Sequence, residues 1–188
     1  MPVKIDTLNL IKTLPKTSAV NHREGMQLYK LAHSVPENGV LVEIGSCMGI
    51  STCYLAAGSP ASSKVYAIDL WTLGDSRLAL PFVEQTFHRN IKLAGFKDRV
   101  TAVKDCSENV AKSWDSPIDL LFIDGDHSYE GVKADILNWS VFIKEGGIIA
   151  FHDIDRLATV KKAVLSLLSS REWKPFPIVD KIWSARKR

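Results

Sequence analysis

Five short apolar runs punctuate the chain: VLVEIG (40–45), KVYAID (64–69), RVTAVK (99–104), IDLLFIDG (118–125) and GGIIAF (146–151). They are rich in Val and Ile and too short for helices, which predicts buried strands. Between them the spacing changes. Residues 50–57, 81–95, 107–114, 129–143 and 156–170 read as helices. Pro81 suits a helix start and Gly95 a helix end. In 129–143 the apolar residues Val132, Ile136, Trp139 and Ile143 fall at i, i+4, i+7 and i+11. HREGMQLYKLAHS (22–34) predicts one further helix ahead of the first run.

Strand alternating with helix implies a parallel sheet covered on both faces. The end of the chain departs from that rhythm. WKPFPIV (173–179) and KIWSAR (181–186) have almost nothing between them, so only a hairpin fits. One antiparallel strand is expected to close one edge. The expected class is α/β and Rossmann-like, with seven strands, mostly parallel, and one antiparallel strand from the C-terminal hairpin. No repeat and no Pro/Gly/Ser-rich linker breaks the pattern. A single domain over 1–188 is expected, with its core at about 22–186 and an N-terminal segment at 1–21.

Composition narrows the partners. Lys plus Arg is 24 and Asp plus Glu is 21, a net charge of +3, too small to imply nucleic acid. Apolar residues at 46% argue against disorder. No apolar run approaches the ~18 residues of a membrane helix. Three cysteines, Cys47, Cys53 and Cys106, lack metal-ligand spacing and suit a reduced, cytoplasmic protein. The first residues lack the apolar core and cleavage site of a signal peptide.

In such sheets the ligand lies beyond the carboxyl ends of the strands. The first run enters Glu43-Ile44-Gly45-Ser46-Cys47-Met48-Gly49-Ile50-Ser51. A glycine turn between strand and helix lets backbone pass close to a ligand and aims helix N–H groups at it. The spacing is G-x-x-x-G, not the G-x-G-x-x-G of dinucleotide enzymes. Cys47 and Met48 would obstruct a pyrophosphate, which weakens an NAD-dependent oxidoreductase without removing it. Asp69, 20 residues beyond Gly49, suits ribose hydroxyls, and Trp71 could lie against an adenine. The bland alternative is a tight strand–helix junction with Asp69 as a cap. Glu43, a carboxylate ending a buried strand, needs a partner such as a cation or an amine.

VEIGSCMGIST resembles the first motif of class I S-adenosylmethionine (SAM)-dependent methyltransferases, and VYAIDLW their second. FIDGDHSYEGVKADILNW with GGIIAFHD is similar to the small-molecule O-methyltransferase group of macrocin-type sugar enzymes, with catechol O-methyltransferase more distant. The resemblance implies the class I methyltransferase fold and SAM as cofactor. It implies that Glu43, Gly45, Ser46 and Gly49 shape the methionine end, with Ser51 at the carboxylate. It implies that Asp69 binds the ribose and that Leu70 or Trp71 lines the adenine. Cys106 and Ser107 fall where the family contacts the adenine edge. Cys106 stands where the family usually has an acid.

Asp124-Gly125-Asp126-His127 and His152-Asp153-Ile154-Asp155 end two strands expected to be neighbours. Carboxylates that close raise one another's pKa, and a divalent cation such as Mg²⁺ would relieve this. Methyl transfer to an alcohol needs the hydroxyl deprotonated and aimed. A metal can lower its pKa, and a histidine can take the proton. Asp124 and His127 are three apart, so one turn could put the acid on a metal and the imidazole at the substrate. The resemblance agrees, with a metal acid at Asp124 and a general base at His127. It places the other metal ligands at His152 and Asp153, or at Asp153 and Ile154. Relatives carry acid–acid or acid–amide pairs there, so His152 makes softer ligation available. Without metal, Asp124 and Asp153 would cap loops and contact the cofactor amine, and His127 would act unaided.

The expected activity is O-methylation of a small-molecule hydroxyl. The alternatives are the NAD-dependent oxidoreductase and a non-catalytic SAM-binding module. WTLGDSRLALP (71–81) is expected beside the acceptor, with Trp71, Arg77 and Leu78 in reach. Little chain remains outside the core, so the acceptor site is either open or completed by a second copy in a homodimer.

Overall fold

In a computed structural model the chain builds a seven-stranded sheet. The structure describes residues 5–16, 20–73, 78–79, 81–168 and 171–188. Two helices come first, α1 (Ile5–Thr13) and α2 (His22–His33). Then follow β1 (Val40–Ile44), α3 (Ile50–Gly58), β2 (Lys64–Asp69), β3 (Thr72–Leu73), β4 (Leu78–Ala79), α4 (Pro81–Leu93) and β5 (Val100–Lys104). The second half runs through α5 (Ser107–Lys112), β6 (Ile118–Ile123), α6 (Tyr129–Trp139), β7 (Ile143–Phe151), α7 (Ala158–Leu167), β8 (Trp173–Pro175) and β9 (Trp183–Lys187). The large sheet has the order β5-β2-β1-β6-β7-β9-β8, and β3 pairs with β4 in a small separate ribbon. This is the Rossmann-like fold of class I methyltransferases.

The pleat sends alternate side chains to opposite layers. Leu41, Leu120, Phe122 and Ile148 pack with Leu28, Leu31 and Leu55 of α2 and α3. Val42, Leu121 and Ile149 pack with Val132, Ile136, Val160 and Val164 of α6 and α7. Both faces of β1 and β6 are therefore buried, which explains their uninterrupted apolar sequences.

Register decides where the chemistry lies. Ile44 pairs with Ile68 on one side and Ile123 on the other, and Ile123 pairs with Phe151. The next residues, Gly45, Asp69, Asp124 and His152, therefore leave the sheet at one level. Strand order reverses between β1 and β6, the switch point where such sheets bind ligands.

Five features differ from the expectations. Helix α6 stops at Trp139, and a 3₁₀ turn over Ser140–Phe142 leads into β7, which already begins at Ile143. Ile143 is buried as the periodicity requires, but it pairs with Ile118 in the sheet. An irregularity follows, with Gly146 at φ +76, before regular pairing resumes at Ile148. The antiparallel strand, β9, lies one place in from the edge, with β8 outermost. The pair is joined by residues 176–182, longer than expected, and Asp180 there has φ +49. Helix α1 lies in the N-terminal segment expected outside the core, yet its Ile11 is buried on the α3 side of that core. Helix α7 is shorter at both ends than 156–170. Among the described residues no helix is long and apolar enough to cross a membrane.

Candidate active site

The turn after β1 is shaped by two left-handed glycines. Gly45 has φ +87, and a Cβ there would sit 2.2 Å from the Asp124 carbonyl oxygen. Its close approach is thus to the end of β6. Gly49 has φ +80 and caps α3, where a Cβ would press on the Phe87 ring at 2.8 Å. Beneath this turn Glu43 is fully buried and accepts a hydrogen bond from the Thr52 hydroxyl. Burial pushes its carboxyl up to about 7, the nearby Ser51, Thr52 and Ser46 hydroxyls offsetting part of the rise. Gly45 lines the cleft, whereas Glu43, Ser46, Gly49 and Ser51 are buried and do not line it.

The cleft itself has a volume of about 700 Å³ and follows the strand ends. Gly45, Asp69, Leu70, Cys106, Ser107, Asp124 and His127 all line it. Asp69 Oδ2 accepts the Cys47 N–H at 2.8 Å and Oδ1 accepts the Trp71 N–H at 2.6 Å. Each oxygen keeps a second lone pair for a ligand hydroxyl. Leu70 is 45% exposed and faces the cleft. Trp71 does not line it. The backbone there is left-handed, φ +48, and the ring turns into the core at 2% exposure. Its Nε1–H donates to the Cys47 carbonyl at 2.8 Å and the ring packs on Phe87. Leu70 is therefore the one of the pair that reaches the cleft. Arg77 lies outside the described residues, as does the side chain of Leu78.

The far wall holds a residue the sequence reading passed over. Asp135 of α6 is buried and accepts from the Ser107 hydroxyl. Burial pushes its carboxyl up to about 6, against the Ser107 hydroxyl and with help from Asp126 and Glu108. The signal was present: buried Val132, Asp135, Ile136 and Trp139 form one helix face, and an acid interrupts it.

At the other end of the cleft lies a compact group of acids and imidazoles. His127 Nε2 is 3.3 Å from Asp124 Oδ1 and 3.5 Å from Asp153 Oδ2. His152 Nδ1 is 3.3 Å from Asp124 Oδ1 and 3.6 Å from Asp153 Oδ2. Asp153 reaches this position with φ +56, a left-handed backbone. The Asp124 hydrogen bond holds the His127 pKa above the ordinary imidazole range, burial opposing it. Burial alone would lower the His152 pKa, but Asp124, Glu24 and Asp153 outweigh it and raise it to about 9. Burial likewise opposes the Asp124 charge, yet His127 and His152 keep its carboxyl below the usual range. Asp124, His152 and Asp153 offer ligand atoms within 4.8 Å of one another, a set that fits a divalent cation. Asp153 Oδ1 is buried without a hydrogen bond, as a vacant donor of such a set would be.

Glu24 is the second residue the sequence did not single out. It sits in the first turn of α2, its Oε2 accepting the Asn21 N–H at 2.7 Å in a capping box. The same oxygen lies 3.3 Å from His152 Nε2. Asn21-x-x-Glu24 matches a capping box, and that local role carries no sign of the contact with His152.

Residues 42–154 match the profile of the family described as "Methyltransferase domain". The curated "Uncharacterized protein y4gI" of Sinorhizobium fredii is 30% identical over 122 residues, 61% of this chain. The match spans 13% of that protein's length. Among solved structures, cofactor-bound Rv0187 from MTB has a TM-score of 0.77 at 21% identity, covering 97% of this chain and 88% of that one. The O-methyltransferase from Bacillus cereus in complex with SAH has a TM-score of 0.75 at 18% identity, covering 98% and 92%. An rRNA methylase from Streptococcus thermophilus has a TM-score of 0.66 at 18% identity, covering 90% and 99%. At these identities the likeness is one of fold, and one fold serves unlike acceptors. The family match displaces the dinucleotide reading of the glycine turn.

Proposed function

The chain belongs to the methyltransferase-domain family, and on that premise we propose that it transfers the methyl group of SAM to a hydroxyl oxygen of a small molecule. The observation that carries this reading is the continuity of the cleft. It begins at Asp69, Leu70, Cys106 and Ser107 and ends at Asp124 and His127. Donor and acceptor can thus share one space, with the adenosine between Leu70 and Cys106 and the ribose at Asp69. The methionine part then runs along Gly45, at the turn that the buried Glu43, Ser46, Gly49 and Ser51 help to build.

The reaction follows from the far end. His127 takes the acceptor's hydroxyl proton on Nδ1, the ring nitrogen not facing Asp124 and Asp153, as the oxygen attacks the methyl carbon. An O–C bond forms and the C–S bond breaks. The sulfonium sulfur keeps the electron pair and leaves as the neutral thioether of S-adenosylhomocysteine. Asp124 and Asp153, both facing Nε2 of His127, stabilise the imidazolium that results. Holding both reactants in line accounts for much of the rate, since positioning alone removes several kcal/mol from such barriers. Asp124, His152 and Asp153 would hold a divalent cation, Mg²⁺ or another, which when bound lowers the hydroxyl pKa and fixes its direction. A homodimer belongs to the same reading, and analytical ultracentrifugation checks it.

The test is transfer of label from methyl-labelled SAM to a panel of sugars and phenols. The reading expects label in an ether product, equimolar S-adenosylhomocysteine, and loss of turnover on chelation. SAM binding without transfer to any of the panel would favour a non-catalytic module. Turnover untouched by chelation would remove the metal role.

A further inference from the structure

His152 is held from both sides. Nδ1 faces Asp124 and Asp153, at 3.3 and 3.6 Å. Nε2 faces Glu24 Oε2 at 3.3 Å. Glu24 comes from α2, on the opposite layer from α6, and has no exposed surface. Its Oε2 is held by the Asn21 N–H, while Oε1, buried without a hydrogen bond, lies 3.7 Å from Lys181 Nζ. A buried carboxylate with a capping role needs only the backbone N–H. Nothing in capping requires it to meet an imidazole whose other nitrogen faces two further carboxylates.

That meeting is what ligating histidines use. A carboxylate behind the ring holds the proton on the far nitrogen and leaves the near nitrogen's lone pair free for a metal. His152 Nε2 and Asp153 Oδ1 are both buried without a formed hydrogen bond. The ring is therefore close to Glu24 but not locked against it, and the opposite side offers an unsatisfied donor atom. Imidazole also alters ion preference. Oxygen-only sites suit Mg²⁺, whereas a nitrogen ligand favours the later first-row ions.

Resting on the metal reading above, we propose that Glu24 is a positioning residue. It keeps a proton on Nε2 of the His152 imidazole, so that an ion displacing the Nδ1 proton meets the Nδ1 lone pair beside Asp124 and Asp153, and the site takes an imidazole-favouring transition ion ahead of Mg²⁺.

Co²⁺ titration, followed by visible absorption, reads the site directly, with Mg²⁺ added as competitor. The wild type is expected to bind Co²⁺ and to release it only to a large excess of Mg²⁺. Glu24→Gln keeps the volume and the cap acceptor. It should weaken Co²⁺ binding ~10- to 100-fold, the usual cost of losing such an outer partner, while SAM affinity stays at the wild-type level. Equal Co²⁺ affinity in both proteins overturns the proposal, as does equal preference for Mg²⁺ in the wild type. Failure of the wild type to bind either ion defeats the metal reading itself, and this inference with it. Should Glu24→Gln not fold, ¹¹³Cd-loaded, ¹⁵N-labelled wild type decides. Cadmium–nitrogen coupling at His152 Nδ1 supports the proposal, and coupling at Nε2 overturns it.

Discussion

The carboxylate of Asp69 joins the two loops that frame the cleft: Oδ2 accepts the N–H of Cys47 at 2.8 Å, while Oδ1 accepts that of Trp71 at 2.6 Å. Asp69 is therefore both a loop staple and an acid on the cleft wall, where the proposed function puts the ribose. Asp69→Ala should weaken SAM binding ~10- to 100-fold, because hydrogen bonds to a charged group are worth about 1.5–3 kcal/mol each. Calorimetry checks this. SAM affinity unchanged in the variant would refute the donor placement.

His127 touches the proposed proton-transfer position and no part of the adenosine wall. His127→Ala should lower kcat by ~10²- to 10⁴-fold, the usual worth of a general base. SAM affinity should stay at the wild-type value. A variant that loses SAM binding along with turnover would make His127 a cofactor residue instead.

Asp135 supplies a pH signature. Its folded pKa is raised from 3.8 to about 6, mainly by burial. As pH rises from about 4 to 6, the unfolded chain gives up this proton while the folded chain retains it. The stability contribution is thus fully present at low pH and lost as pH passes the folded value. At ~1.4 kcal/mol per pKa unit, the loss is about 3 kcal/mol. Asp135→Asn can keep the Ser107 hydrogen bond without the ionisation. Urea melts across pH 4 to 8 should show variant and wild type diverging upward from pH 4, the variant gaining. A difference independent of pH would contradict the assignment.

Neighbouring Leu70 and Trp71 should separate cleanly. Trp71→Ala removes a buried ring and its Cys47 hydrogen bond, which should destabilise by ~3–5 kcal/mol. Leu70→Ala should leave stability nearly intact and weaken SAM. Denaturation and calorimetry on the two variants check both, and the reverse pattern would put the indole in the cleft.

Strand ends were the legible part of this site. Runs of Val and Ile that finish in Gly45, Asp69, Asp124 and His152 can be read from composition and length alone. Register then brings those four residues level. Trp71 was not legible, because its direction depends on a left-handed φ two residues past a strand, which no periodicity encodes. The Ile143 position shows a related limit. Helical spacing and strand pairing both predict burial there, so burial alone could not place the start of β7. Glu24 meets His152 across 128 residues of sequence through tertiary packing, and its local motif pointed only to a cap.

Calorimetric titration of SAM into the wild-type chain and into Leu70→Asp addresses the central claim most directly. The cleft at the carboxyl ends of β1, β2 and β6 predicts one SAM per chain in the wild type. It predicts markedly weaker binding when a charge replaces the apolar wall at Leu70. No SAM binding by the folded wild type, or binding indifferent to Leu70→Asp, would contradict it.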